Sequence, residues 1–393
     1  MLTACEKQLI DLARSVSHET IWRYAAAVDA ENRFPTEAIE ALRAAGLLAA
    51  VFPKDLGGLG VSLPVFKEMN AWIGESCLST GMIFASHGQQ VTVLAKHAKK
   101  TQEAVLREVA EKGVLISSVT SEYGKGGNLL ASESPLYPEG DRVRVRRRAP
   151  IVSYGVEAPY ALISMKASET SDSRDGVMVL VSLTDEGSFT VTGGWDSMGM
   201  RGTRSVPMVF DFVVPKDRVI GEGSYREVAV ATMIPFLHVG WAAMWYGAAR
   251  GALRRFVTSI RSNPSLKKKF MESDLFISRL ADLRLQVDLM GAILEKAAED
   301  TEQLYRSNAP LSQFEDPTYQ ILINNVKTAC ANLSFQVLTG LIEVAGVYPG
   351  YLKSSDTGIE RVFRDLRAAS IQFHNDRLNA ANGKIQMFER VGG

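Results

Sequence analysis

From the N-terminus to about residue 115, apolar positions recur at i, i+3, i+4 and i+7, the spacing of one face of an α-helix. Glu37 to Arg43 is an amphipathic run that starts at Thr36 behind Pro35 and stops at Gly46. The segment from Phe52-Pro53 to Gly57-Gly58-Leu59-Gly60 breaks both regular structures and predicts a loop. Helical spacing resumes from Leu63 to Gly88 and again from Thr101 to Lys112. From Leu115 to about Val214 the period falls to two: Arg142-Val143-Arg144-Val145-Arg146 alternates, and Tyr160 to Met165, Val177 to Val181 and Pro207 to Val214 are short apolar runs. Such runs separated by turn residues predict a compact antiparallel β domain, a barrel or a sandwich. After Gly221 the helical period returns in four long stretches, Gly240–Ile260, Phe270–Tyr305, Pro317–Glu343 and Arg361–Gln386, which predict an antiparallel four-helix bundle. The expected fold class is therefore α+β, with a helical domain over 1–115, a β domain over 116–222 and a helical bundle over 223–393.

Composition narrows the chemistry. The 393 residues carry 44 Lys+Arg against 44 Asp+Glu, a balance that argues against nucleic acid or an anionic membrane as partner. The arginines between Arg142 and Arg148 alternate with valine and read as a solvated strand face. Cys5, Cys77 and Cys330 are far apart with no CxxC pair, as expected in a reducing compartment, so a cytoplasmic setting is anticipated. No run of 18 apolar residues and no basic-then-apolar leader is present, so no membrane role is expected. The five histidines never fall at metal-ligand spacing and no metal site is expected. GxGxxG after a strand, the P-loop pattern and the GxSxG elbow are all missing.

Five segments, in order along the chain, resemble motifs of the acyl-CoA dehydrogenase superfamily of flavoproteins. Pro53 to Gly60 resembles its Pro-x-x-x-Gly-Gly-x-Gly loop, and Ser121-Glu122-Tyr123-Gly124-Lys125-Gly126-Gly127-Asn128 its Thr-Glu-Pro-x-x-Gly-Ser-Asp motif. Arg148 to Gly155 resembles Lys-x-Trp-Ile-Thr-x-Gly, Met198 to Thr203 resembles Leu-Gly-x-Arg-Gly-Ser, and Arg361 to Asp365 resembles Arg-x-x-Arg-Asp. The resemblance implies FAD, with FMN or a reversibly bound reduced flavin as alternatives. It places Ser118, Thr120 and Ser121 along the flavin, Gly126 and Gly127 at the pyrophosphate, Ile151, Val152 and Ser153 near N5, and Asn375 and Arg377 at the same cofactor. It also implies a homotetramer or homodimer. Two departures concern the cofactor's far end: the family's Arg-x-x-Phe-Gly has no clean counterpart near Arg261 to Leu266, and its Gln-x-x-Gly-Gly-x-Gly is reduced to Glu343-Val344-Ala345-Gly346.

A larger departure concerns the catalytic base. Dehydrogenation needs a carboxylate that removes an α-proton while hydride moves to flavin N5. The family's usual position falls here on Phe373-His374-Asn375, and its alternative position on Phe236-Leu237-His238; neither holds an acid. His374 and Asp376 are the candidate catalytic groups, with Asp376 about one turn away if the helix continues. His87, Leu237, His238 and Phe373 are the candidate pocket residues, although an isolated histidine more commonly has a structural role. Three readings follow. The first is an oxidoreductase acting on a CoA- or carrier-protein-bound acyl thioester, with an electron-transfer flavoprotein as partner. The second is a two-component monooxygenase, fed by a flavin reductase, that hydroxylates a small aromatic, amine or sulfur substrate through a C4a-(hydro)peroxide. The third is a flavin- or acyl-binding paralogue without turnover.

Overall fold

The computed structural model describes residues 2–98, 102–124 and 128–388. The chain opens with α1 (Ala4–Val16), whose first turn is closed by reciprocal hydrogen bonds between Thr3 and Glu6. A wide turn leads into α2 (Trp22–Ala30), followed by α3 (Thr36–Ala44), α4 (Leu63–Ser76), α5 (Leu78–His97) and α6 (Glu103–Lys112). The helix expected over Leu63–Gly88 is thus two helices. Cys77, extended at φ −153° and ψ 115°, separates them, and α5 continues to His97.

The strands are β1 (Ile116–Val119), β2 (Leu136–Glu139), β3 (Arg142–Val152), β4 (Tyr160–Lys166), β5 (Gly176–Ser182), β6 (Glu186–Val191), β7 (Val206–Pro215) and β8 (Val219–Ile220). They form two four-stranded sheets ordered β1-β4-β5-β8 and β2-β3-β7-β6, and side chains such as Val145, Ile163, Val179, Phe210 and Phe212 share a buried core. The expected antiparallel arrangement holds for every pair but β1 and β4, which run parallel with Ile116 opposite Tyr160. The chain leaves β1 for the other sheet and comes back into β4, a long crossover that allows equal direction. Alternation along β3 sets Arg142, Arg144 and Arg146 outward, where Arg144 meets Asp211 at 2.8 Å and Arg142 meets Glu186 at 2.7 Å. The same alternation turns Arg147 inward, and its side chain is buried, against the expectation of a wholly solvated face.

The remaining helices are α7 (Tyr225–Glu227), α8 (Ile234–Arg261), α9 (Pro264–Met271), α10 (Asp274–Arg306), α11 (Leu311–Phe314), α12 (Pro317–Ala345), α13 (Ile359–Leu366) and α14 (Asn375–Phe388). α8 is apolar nearly all round because it is the central helix, packed on α4, α5, α10 and α12. Together with α7 it is long and apolar enough to cross a bilayer, as is α12, yet 94% of the α8 window lies inside the fold. Close approach to α4 depends on Gly247, where a Cβ would stand 1.9 Å from the Ala71 carbonyl oxygen. The helix expected over Arg361–Gln386 is interrupted: residues 367–374 form consecutive turns, and Phe373 has φ +50°. Asp376 therefore begins a new helix and is not carried on the one that holds Asp365.

Three polar contacts fasten these parts together. Arg364 donates to Asp29 Oδ1 at 3.0 Å, joining α13 to α2. Asp365 Oδ1 accepts the Met200 N–H at 2.5 Å, joining α13 to the loop before β7. His87 on α5 accepts the Ile116 N–H at Nδ1 (3.2 Å) and donates from Nε2 to the Leu48 carbonyl (2.9 Å), so both ring nitrogens are committed.

Candidate functional site

The flavin-motif residues cluster where β1 ends. The Ser121 hydroxyl donates to the Ile151 carbonyl at 2.7 Å and lies 3.3 Å from the Ile151 N–H, which pins the loop after β1 to the end of β3. The β3–β7 register shifts between Ala149 and Val152. This bulge turns the Ile151 side chain outward, where it is 51% exposed. An apolar face beside a hydroxyl suits the face and polar edge of a flavin ring, so the residues present fit the ring end of the cofactor. Ser153 shares a hydroxyl chain with Ser205 (2.8 Å) and, through it, Thr203 (2.7 Å). Val152 is buried in the sheet core, and Ser118 and Thr120 are half-buried at the end of β1. Gly126 and Gly127 lie outside the described residues.

One buried cation holds this loop in place. Arg147 pairs with Glu122 at 2.8 Å and donates to the Ser132 hydroxyl (3.0 Å) and the carbonyls of Ser121 (3.0 Å) and Thr120 (3.4 Å). Glu122 in turn accepts the Glu133 N–H at 3.0 Å and the Ser134 hydroxyl. The far end of the same loop, Asn128 to Leu130, borders a cavity of about 300 Å³ between the start of α8, α12 and α14. Its walls include Val230, Ile234, Ile323, Phe373 and Leu378, with Arg226, Gln320, Asn324 and Arg377 among them. No Asp or Glu lines it among the described residues.

The two stretches singled out for a base meet beside this cavity. The rings of Phe373 and His238 stand edge to face, 5.5 Å between centroids, although they are 135 positions apart in the chain. His238 is buried and its Nδ1 lies 3.0 Å from the Ile323 carbonyl. A carbonyl only accepts, so Nδ1 carries the proton. Burial pushes the imidazole down to about 3, and it is neutral, with its other nitrogen bearing a lone pair. Leu237 precedes it on α8 and is buried in the helical core. His87, by contrast, is spent on the α5–β1 junction and is pushed down to about 4 by burial. His374 and Asp376 are exposed on the outer side of the turn and do not line the cavity. Arg377 lines it, 5.9 Å above the Phe373 ring.

Asn375 is committed to structure: its Oδ1 accepts from Lys327 at 2.6 Å and its Nδ2 donates to Asn332 at 2.8 Å. Lys327 is a site residue that the sequence reading missed. Fully buried on α12, its ammonium also donates to the carbonyls of Ala369 (3.0 Å) and Phe373 (3.2 Å). It therefore grips the turn that presents Phe373. Burial lowers its pKa to about 7, while three acceptors around three N–H bonds oppose that fall. The available signal was a lone cation inside the apolar stripe Ile321 to Val337.

The comparisons with known proteins agree with this fold. The sequence profile of the acyl-CoA dehydrogenase N-terminal domain matches residues 3–106, and that of the acyl-CoA dehydrogenase C-terminal domain matches residues 239–377. Cyclohex-1-ene-1-carbonyl-CoA dehydrogenase of Syntrophus aciditrophicus (strain SB) is 22% identical over 373 residues, covering 94% of this chain and 86% of that protein. Butyryl-CoA dehydrogenase from Megasphaera elsdenii superposes with a TM-score of 0.87 at 16% identity, covering 98% of this chain and 99% of that one. FMN-bound TdsC from Paenibacillus sp. A11-2, a dibenzothiophene monooxygenase, superposes with a TM-score of 0.86 at 20% identity, covering 98% of each chain. The two profiles together span more than half of the 393 residues, and the fold agrees with them. The chain belongs to the acyl-CoA dehydrogenase family of flavin-dependent oxidoreductases.

Proposed function

We propose that this protein is a flavin-dependent monooxygenase that oxidises a small, largely apolar substrate in the cavity beside Phe373. The observation that carries this reading is the lack of any carboxylate on the cavity wall among the described residues, at the place where Phe373 and His238 meet. Removing an α-proton calls for a base within hydrogen-bond reach, whereas oxygen insertion calls for an apolar chamber that keeps water out. Flavin, when bound and reduced, would activate O₂ and deliver one of its oxygen atoms. One oxygen enters the substrate, the other leaves as water, and two electrons and two protons come from NAD(P)H and solvent through a flavin reductase. This chain's own part is to hold the ring edge with Ser121 and Ile151, wall the chamber with Ile234, Ile323 and Phe373, and orient the substrate with Asn128, Gln320 and Asn324.

A second reading is oxidation of an acyl thioester with an electron-transfer flavoprotein as acceptor. It is favoured by His238, a titratable group without a carboxylate's charge near the required place. Anaerobic mixing of the flavin-loaded protein with butyryl-CoA decides between the two. The expected result is an unbleached flavin, together with oxygen uptake and hydroxylated product once a reductase, NADH and an aromatic substrate are supplied; bleaching by the thioester would overturn the first reading.

Phe373→Glu gives a sharper test of the site. Phe373 borders the cavity and is half-buried, so the variant is expected to fold with a melting temperature within a few degrees of wild type and to acquire slow flavin bleaching by butyryl-CoA. Global unfolding would place the ring in the core instead, where a buried charge costs several kcal/mol.

The exposed Leu285 and Leu289 on α10 support self-association, for which a homodimer or homotetramer is proposed. The unpaired thiols of Cys5, Cys77 and Cys330 support a cytoplasmic setting.

A further inference from the structure

The geometry points to His238 Nε2 as the specificity-determining acceptor of the cavity, covered by the movable ring of Phe373, and to a planar apolar substrate carrying one N–H or O–H donor. This inference rests on the cavity being the oxidation site and names the class of molecule it takes.

Three observations carry it. The first is an unpaired lone pair. His238 is 1% exposed, its Nδ1–H is spent on the Ile323 carbonyl, and its Nε2 has no hydrogen-bond partner among the described residues. A buried acceptor left dry is costly, and a ligand that brings a donor recovers that cost. The other buried histidine, His87, shows the contrast by using both ring nitrogens, and the half-buried His97 lies 2.8 Å from the Thr232 hydroxyl. The second is the position of the neighbouring Phe373 ring. Phe373 faces the cavity on one side and packs edge to face against His238 on the other.

The third is the backbone of Phe373, whose φ of +50° is unfavourable for a residue with a Cβ. The Lys327 ammonium holds its carbonyl at 3.2 Å. With the main chain clamped, the half-buried ring moves by side-chain rotation, without unwinding of the turn. Rotation away from α8 would open a path from the cavity to Nε2 beside Ile234 and Ile323, and the next aromatic layer, Trp241, lies 6.3 Å from the imidazole. A thioester carbonyl offers only acceptors, so it would leave Nε2 as dry as before. A phenol, an indole-like N–H or an aromatic amine would satisfy it.

The test uses the full-length, flavin-loaded protein without a reductase, so that binding is read apart from turnover. Calorimetric titration compares 2-naphthol with 2-methoxynaphthalene, a pair that differs in the donor. Wild type is expected to prefer the naphthol by about tenfold, the discrimination of one buried hydrogen bond. In His238→Phe, which keeps the aromatic packing, that preference should vanish while the methyl ether still binds. Phe373→Ala should tighten both ligands. Equal binding of the two by wild type, or a preference that survives in His238→Phe, would overturn the acceptor role. Weaker binding of both by Phe373→Ala would make the ring a wall and remove the cover. If His238→Phe does not fold, ¹⁵N-histidine spectra of wild type decide: 2-naphthol should shift one unprotonated imidazole nitrogen, and no shift would refute the assignment. Failure of the oxygenation reading looks different, since naphthol preference would persist without hydroxylated product when reductase is added.

Discussion

Arg147→Ala is expected to destabilise the protein by about 3 kcal/mol and to leave it largely colourless after purification. Removing one partner of a buried ion pair typically costs about 3–5 kcal/mol because the other charge stays behind. The lower end applies here, since Glu122 would keep the Glu133 N–H and the Ser134 hydroxyl. The second loss concerns geometry. Arg147 holds the carbonyls of Thr120 and Ser121, and without it the loop that sets the Ser121 hydroxyl against Ile151 is free to move. The ratio of flavin absorbance to protein absorbance, read beside a urea titration, checks both effects. Arg147→Lys keeps the charge but not the planar fork and should fall between the two. An Arg147→Ala protein with wild-type stability and flavin content would show that the loop is organised by something else.

Lys327→Met should cost about 3 kcal/mol, because the carbonyls of Ala369 and Phe373 and the Asn375 side chain all lose their donor in a dry interior. The pH dependence carries a signature. A lysine lowered from 10.5 to about 7 holds fewer protons in the folded chain than in the unfolded chain between those values, so its contribution to stability rises with pH across that window. The three acceptors pull the folded value back up, which makes the rise smaller than burial alone would give. Urea midpoints of wild type should therefore climb relative to those of Lys327→Met from pH 7 towards pH 10. Parallel curves would mean that Lys327 stays fully charged in the folded state.

Much of this architecture is legible in the sequence because the hydrophobic period changes at the element borders. The drop to period two near Leu115 and the return near Gly221 bracket the strands, which run from Ile116 to Ile220. Helix breaks were harder to see where burial continues through them. Ala369 and Leu378 are buried on either side of the turn at 367–374, so the apolar pattern runs on while the backbone does not. A lysine 46 positions before Phe373 holds the carbonyls of Ala369 and Phe373 in that turn, and no local propensity reports that. Arg147 is legible in principle, since the odd positions of β3 from Val143 to Ala149 are its inward ones, although alternation with valine in a neutral chain favours a solvated face for the arginines. Phe373 and His238 are expected in one pocket from the sequence, and their edge-to-face contact is what the structure adds. The commitment of Asn375 and His87 to structure required coordinates.

The contacts that frame the site mostly grip main-chain atoms. Arg147 reads the carbonyls of two residues, Lys327 those of two more, Asp365 takes the amide of Met200, and His87 takes one amide and one carbonyl. Every residue type offers a carbonyl, and every one but proline an amide. Side chains at Thr120 and Phe373 are thereby released from holding the scaffold, and evolution can exchange them while the chamber keeps its shape. That freedom gives a physical reason why relatives sharing about a fifth of their sequence can retain one scaffold and diverge in the reaction it hosts.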